Sequence, residues 1–315
     1  MTWKAFTGGL DSVPILAGGN IVTVITDVSS GLGSITLSVM TPAGVDSQYA
    51  STLIDGPQSV SNLITDGINI YVAYRDIYPR DWFSYWDLAT YTFNANLIGS
   101  VYYNNGLVLT ASNKAVVIGG DHYGSTPSMA NYTLPATSIS YNNFAYSAPF
   151  GHGVLVGGSV WTVLVGTTTL AELDPVGLNI IATYTLPAAA AGYQIGYDGA
   201  YLYIAAAGTG IIVWDIGASS GAVFGSGTYE NAYYSANQSQ VFTHDSSDNI
   251  YTMPAGGGSL TNVGNTLAIT GVAGQNVNGF CDGPAGNDLW ANCYNNPQAF
   301  NIVYTPGGMR IAMAP

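Results

Sequence analysis

Tight turns recur at regular intervals along this chain, and their spacing constrains the fold more than any other feature. The clearest are Asp66-Gly67 and Asp198-Gly199, each followed by a short apolar segment. Asp-Gly and Asn-Gly pairs favour positive φ angles and close tight hairpins. Related pairs recur at Gly19-Asn20, Asn105-Gly106, His152-Gly153, Asp248-Asn249 and Gly286-Asn287. Seven copies in 315 residues average 45 residues per copy, which predicts a repeat built from one unit of that length.

The segments between these turns have the character of β-strands. Gly or Pro interrupts almost every window that a helix would need, and the apolar runs are rich in Val, Ile, Thr and Tyr, which suit pleated strands. Several third strands of the unit are predicted to end at Trp86-Asp87, Tyr184–Pro187, Trp214-Asp215 and Tyr304–Pro306. A four-stranded propeller blade takes about 40–50 residues, so this pattern predicts an all-β fold.

We therefore expect one domain over residues 1–315, a seven-bladed β-propeller of four-stranded antiparallel blades. The approximate blades are 1–54, 55–99, 100–140, 141–187, 188–229, 230–270 and 271–315, with Asp66, Asn105 and Asp198 at equivalent turns. A β-sandwich or a β-helix built from similar hairpins is the alternative. The strand that closes the ring is Thr2–Thr7 or Met309–Met313, and the sequence does not choose between them.

Two segments carry a resemblance to a known repeat. Asp198–Ala205 and Asp245–Met253 resemble the Asp-x-x-Gly-Asn-x-Tyr-Val signature of NHL and YVTN propeller repeats, although Asp248 stands where that signature has Gly. The resemblance implies a β-propeller fold. It does not imply a function, because propellers host many activities.

Composition excludes several kinds of partner. Eighteen acidic residues against five basic ones give a formal charge of −13, and only 7% of residues are charged. Counterion release from nucleic acid needs several Lys or Arg side chains on one face, so we expect no nucleic-acid partner. The chain has no apolar run of 18 residues, so no membrane insertion is expected. Residues 1–9 lack an apolar core, so no signal peptide is expected.

Two cysteines and three histidines are the candidates for a disulfide, a catalytic dyad or a metal site. Cys281 and Cys293 flank a predicted hairpin, and both a disulfide and a pair of reduced buried thiols remain open. The three histidines, His122, His152 and His244, are interpreted as turn or strand-end residues. Because adjacent strand residues point to opposite faces, the adjacency of Asp121 to His122 and of His244 to Asp245 is no evidence of a dyad. We predict no catalytic residues, no metal site and no cofactor.

The most unusual stretch is Tyr74–Trp86, which concentrates aromatic residues and two of the three arginines. Tyr, Trp and Arg are enriched at binding hot spots. The candidate binding residues are Arg75, Asp76, Tyr78, Arg80, Asp81 and Trp82. The alternative is a longer loop stiffened by Arg75–Asp81 and Arg80–Asp76 pairs, with Trp82 and Trp86 packed between blades.

These observations favour a non-catalytic role. We expect a structural or host-recognition protein of a virus or phage particle, or of a similar extracellular assembly, because the surface is poor in Lys and rich in Gly, Thr, Ser, Asn and Tyr. Its partners would be other subunits, or a surface glycan or receptor. The alternatives are a sugar- or protein-binding propeller outside a particle, and a propeller enzyme such as a lyase, glycosidase or lactonase.

Overall fold

In a computed structural model, the described residues form seven antiparallel sheets that follow one another in sequence. The structure describes residues 9–10, 12–27, 34–43, 45–51, 57–76, 81–98, 103–111, 113–120, 126–135, 138–247, 249–265, 277–284, 288–293, 299–305 and 308–310. Among these residues there is no helix long and apolar enough to cross a membrane.

The first three sheets occupy the N-terminal part of the chain. Sheet 1 contains β1 (Gly9–Leu10), β2 (Ile15–Ala17), β3 (Asn20–Asp27), β4 (Ser34–Met40) and β5 (Asp46–Ala50). Sheet 2 contains β6 (Pro57–Val60), β7 (Ile64–Thr65), β8 (Asn69–Asp76), β9 (Asp81–Asp87) and β10 (Phe93–Ile98). Sheet 3 contains β11 (Tyr103–Ala111), β12 (Lys114–Gly120), β13 (Pro127–Thr133) and β14 (Ser138–Asn143).

The remaining four sheets repeat the same meander. Sheet 4 contains β15 (Phe150–Val156), β16 (Ser159–Leu164), β17 (Thr169–Asp174) and β18 (Asn179–Thr185). Sheet 5 contains β19 (Gly196–Tyr197), β20 (Tyr201–Ala206), β21 (Gly210–Asp215) and β22 (Ser220–Phe224). Sheet 6 contains β23 (Tyr233–Ser235), β24 (Gln240–His244), β25 (Asn249–Pro254) and β26 (Thr261–Asn265). Sheet 7 contains β27 (Val277–Asp282), β28 (Asp288–Cys293), β29 (Ala299–Thr305) and β30 (Gly308–Arg310).

The predicted architecture of seven four-stranded blades is wrong, because sheets 1 and 2 each contain five strands. In both sheets the first strand position is split into two short strands that pair with the same neighbour. A buried serine lies at each break. The Ser12 hydroxyl accepts a hydrogen bond from the Val24 backbone N–H at 3.0 Å, and the Ser61 hydroxyl accepts one from Ala73 at 3.0 Å. The side chain thus replaces a backbone acceptor where the strand is interrupted.

Several turns assigned from the sequence also need correction. Asn105-Gly106 and His152-Gly153 lie inside β11 and β15 rather than in turns. A side chain at Gly106 would lie 3.0 Å from the His152 backbone, so this glycine allows two strands to approach. Asp245 opens the turn between the second and third strands of sheet 6, whereas Asp66 and Asp198 open the turn between the first and second strands. Tyr184 lies in a fourth strand, not a third.

The core lies between consecutive sheets rather than in one central mass. Each of seven buried clusters joins two neighbouring sheets, and the last joins sheet 7 back to sheet 1 through Trp290, Cys281, Ile21 and Ile25. Strand β2 also packs against β27. The sheets therefore form a closed ring, in which each apolar face is covered by the next sheet.

Two hairpins of the ring share a network in which an aspartate binds the turn and a tyrosine. Asp198 Oδ1 accepts hydrogen bonds from the backbone N–H groups of Ala200 and Tyr201 at 2.8 and 2.7 Å, and Oδ2 accepts the Tyr203 hydroxyl. Asp66 binds its own turn and the Tyr71 hydroxyl in the same way. Burial, reinforced by the bond to the carboxylate, raises the pKa of Tyr71 and of Tyr203 above the usual range.

We predict that Asp198→Asn destabilises the protein by about 1–2 kcal/mol, because an amide N–H₂ would replace the oxygen that accepts the Tyr203 proton. Guanidinium unfolding should show a lower midpoint with an unchanged slope. Asp215→Asn is the matched control, since Asp215 accepts one exposed N–H from Ala218 and should lose less than about 0.5 kcal/mol. Equal losses in the two variants would show that the tyrosine bond does not contribute.

Candidate functional site

The aromatic and arginine-rich stretch forms part of sheet 2. Arg75 is buried at 8% exposure in β8, and the backbone register places it opposite Asp81 in β9. Trp82 is half-buried, stacks on Tyr74 with ring centroids 6.3 Å apart, and packs against the core between sheets 1 and 2. Tyr78 and Arg80 lie outside the described residues, as do the side chains of Asp76 and Asp81.

The described ends of this stretch are therefore paired strands, and residues 77–80 between them lie outside the described part of the chain. A role for this stretch in binding stays a prediction.

The two cysteines are not cross-strand neighbours. The register pairs Cys281 with Trp290 and Cys293 with Val277. Three residues along a strand separate the rungs by roughly 10 Å, beyond the Cα distance of about 4.4–6.8 Å that a disulfide requires. Cys281 is a free, buried thiol, and its burial raises the thiol pKa above the usual range.

The histidines have different surroundings. His244 is fully buried; its Nε2 accepts a hydrogen bond from the Asn231 amide at 3.0 Å, and its Nδ1 donates to the Asp245 carbonyl at 3.4 Å. Burial lowers its pKa to about 4. His152 lies on β15 and lines the interior of the ring instead of forming a turn. His122 lies outside the described residues.

The interior of the ring contains an open cavity of about 300 Å³, here called the central cavity. Its walls come from the innermost strands of sheets 1, 2, 4, 5, 6 and 7, including Val13, Asn62, His152, Gln194, Tyr233 and Phe280.

Side chains cross between sheets around this cavity. The Gln194 amide donates to the Phe280 carbonyl at 2.9 Å and accepts from the Phe280 N–H at 3.2 Å. The Asn62 amide binds the Leu107 backbone of sheet 3 in the same two-point manner. These bonds tie the inner segments of different sheets together.

A second depression lies where the inner strands of sheets 5 and 6 begin. This Tyr193 groove has a volume of about 350 Å³, and its lining includes Val165, Ala190, Ala191, Tyr193, Tyr229 and Glu230. Tyr193 is 54% exposed, one of the more exposed large side chains of the described chain. This site was not predicted from the sequence, although the run Pro187–Tyr193 combines small residues with one aromatic residue.

The floor of the Tyr193 groove is apolar because its backbone groups are already paired. The N–H of Gly166 donates to Ala190 at 2.8 Å, that of Ala191 donates to Ala205 at 2.8 Å, and that of Ala207 donates to Ala189 at 2.7 Å. Small side chains on a hydrogen-bonded floor leave room for an incoming apolar side chain. Glu230 adds a negative charge to this lining.

Known proteins match this chain in structure but not in sequence. No protein-family model and no curated protein matches the sequence. A chain in the crystal structure of a mitotic checkpoint complex has a TM-score of 0.73 over 96% of this chain and 91% of that chain, at 12% identity. The fold is a β-propeller. At this identity the likeness shows the fold alone, and the resemblance to NHL and YVTN repeats stays a prediction.

One described carboxylate ties two neighbouring sheets of the propeller together. Asp282 accepts hydrogen bonds from the Ser235 hydroxyl and the Ala236 and Asn237 backbone N–H groups, which fastens sheet 7 to the first turn of sheet 6. Among the residues that the structure describes, no three His, Cys, Asp or Glu side chains are grouped so that they could hold a metal ion.

Proposed function

We propose that this propeller is a non-catalytic protein-interaction module, and that it binds a partner through the Tyr193 groove. The observation that carries the proposal is a preformed apolar groove of about 350 Å³ with a half-exposed tyrosine, held on a rigid ring. An exposed aromatic beside a small apolar depression has the character of a binding hot spot. A propeller fold is compatible with such a role without dictating it.

The charge of the chain indicates the chemistry of the partner segment. The chain carries a formal charge of −13, and Glu230 lies in the groove. A segment with one apolar or aromatic side chain flanked by Lys or Arg complements this surface in shape and in charge. Electrostatic complementarity speeds encounter and selects the partner.

The amino-acid composition supports a role in a larger assembly. We propose that the propeller acts as a subunit or recognition module of an extracellular assembly such as a virus or phage particle. Its support is the near absence of Lys and the prevalence of Gly, Ser, Thr, Asn and Tyr. Finding the chain at a fixed copy number in a purified particle would support this role, and finding it only as a free monomer would contradict it.

The binding proposal predicts a specific loss of affinity. Peptides selected on the immobilised full chain from a random 12-residue library should combine an aromatic or aliphatic residue with Lys or Arg. Tyr193→Ser should weaken their binding tenfold or more, and Glu230→Gln should weaken it less and reduce its dependence on salt. Fluorescence polarisation with a labelled selected peptide measures both effects.

Tyr141→Ser provides the matched control. Tyr141 is 59% exposed in β14 of sheet 3, away from the groove, and its replacement should change the affinity less than twofold. Selected peptides without basic residues, or equal losses for the two tyrosine variants, would overturn the assignment. Enrichment of glycans but not of peptides would favour the sugar-binding alternative.

A further inference from the structure

We propose that the central cavity is a second site, which binds a small uncharged molecule through one hydrogen-bonding group held by His152. This site is independent of the Tyr193 groove. The cavity of about 300 Å³ lies at the lower end of the range for ligand pockets, which is about 300–1,000 Å³. A cavity of about 150 Å³ already accepts benzene, so this one has room for a single ring with a substituent.

The walls set the chemical class of the ligand. Accessible apolar surface comes from Ile15, Leu16 and Ile195, and such surface favours an aromatic or aliphatic body. An occupant of this kind would fill the cavity without disturbing the hydrogen bonds between the inner strands.

Most polar groups of the wall are already engaged. Both ends of the Gln194 amide bind Phe280, and both ends of the Asn62 amide bind Leu107. The carboxylate of Asp282 accepts the turn N–H groups of Ala236 and Asn237. These bonds occupy both amides and the oxygens of the carboxylate, so a charged ligand would lose its hydration without gaining new hydrogen-bonding partners from them, and transferring an unpaired charge into such a site costs several kcal/mol or more.

His152 is the exception among the polar wall residues. Its backbone N–H donates to the Gly192 carbonyl and its carbonyl accepts from Thr162, which fixes the backbone position. Within the described part of the chain, no hydrogen bond to its ring nitrogens is formed. Burial lowers the pKa of His152 to about 4, so the ring is neutral at pH 7. A neutral imidazole offers one donor and one acceptor, which matches a hydroxyl group.

Three ring compounds of nearly equal size test the charge selectivity on the full chain: benzyl alcohol, benzoate and benzylammonium. We expect millimolar benzyl alcohol to shift the His152 imidazole signals in ¹H–¹³C NMR spectra and to leave those of the buried His244 unchanged. At the same concentration, benzoate and benzylammonium should produce less than a tenth of that shift. Equal shifts with all three compounds, or no shift with benzyl alcohol, would overturn the proposal.

Variants locate the site. His152→Phe should abolish benzyl alcohol binding measured by saturation-transfer NMR. Leu16→Trp is a second test that remains valid if the protein does not fold with a substitution at His152. Leu16 lines the cavity and is 38% exposed. The larger side chain should block the cavity and abolish binding. Tyr193→Ser should retain it, which separates this site from the groove. Unchanged binding in folded Leu16→Trp or His152→Phe protein would place the ligand elsewhere.

Discussion

Replacing Gly151 with alanine is expected to destabilise the protein by about 3 kcal/mol or prevent folding. The new Cβ atom would lie 2.8 Å from the Cα of Gly192 and would also clash with the Gly192 carbonyl oxygen. Both are backbone atoms, so no flexible side chain can move aside. The same carbonyl accepts the His152 N–H at 3.0 Å, so relief of the clash would break a bond between sheets 4 and 5.

Gly217→Ala is the matched control. Gly217 lies in an exposed turn, and a Cβ atom there would lie 3.4 Å from its nearest neighbour, an Asp215 carboxylate oxygen. We expect a change of about 0.5 kcal/mol or less. Thermal or guanidinium unfolding compares the two variants. If Gly151→Ala were as stable as Gly217→Ala, the close approach of the inner strands would be wrong.

Acidification between pH 6.5 and 4 is expected to destabilise the protein strongly through His244. The folded state holds this imidazole neutral with a pKa of about 4, against 6.5 for an ordinary histidine. Above pH 6.5 both states are neutral, and the stabilisation is fully present. As the pH falls from 6.5 towards 4, the unfolded chain takes up a proton that the folded chain resists. This one group would remove about 3 kcal/mol by pH 4.

Guanidinium unfolding at several pH values from 7 to 4.5 measures this loss. His152 contributes in the same direction, because its pKa is also lowered to about 4. His244→Phe should reduce the slope of stability against pH by roughly half, whatever its effect at pH 7. A flat profile in the wild-type protein, or a His244 pKa near 6.5 by NMR, would contradict the buried neutral assignment.

The sequence predicted the β-propeller class because the Asp-Gly pairs at Asp66 and Asp198 identify hairpin turns from adjacent residues alone. It misplaced Asn105-Gly106 and His152-Gly153 because the sequence does not distinguish a glycine needed for a positive φ from one needed for close strand packing. Gly106 and Gly153 serve the second purpose: added Cβ atoms would meet the His152 backbone and the Ile118 side chain.

The number of strands in sheets 1 and 2 was predicted wrongly for a related reason. Ser12 and Ser61 split the inner strands of sheets 1 and 2 through side-chain hydrogen bonds, and a single serine in an apolar run gives no such signal.

The candidate sites were less predictable than the fold. Arg75 was predicted to be a binding residue because the chain has few cations, yet it is buried within β8. Tyr193 was not predicted as a site residue and His152 was predicted as a turn residue, because each of the two sites is formed by residues far apart in sequence. The Tyr193 groove joins Val165, Ala190 and Tyr229, and the central cavity joins residues from Val13 to Asp282. Such sites exist only once the ring has closed.

The most direct test of the central claim is hydrogen–deuterium exchange of the full chain with and without a selected basic, aromatic peptide. Binding through the Tyr193 groove predicts slower exchange in segments 188–193 and 226–231, with little change around Tyr141 in β14. Protection centred on the turns at Asp66 and Asp198, or on β14, with none in those two segments, would show that the partner binds elsewhere and would contradict the proposed function.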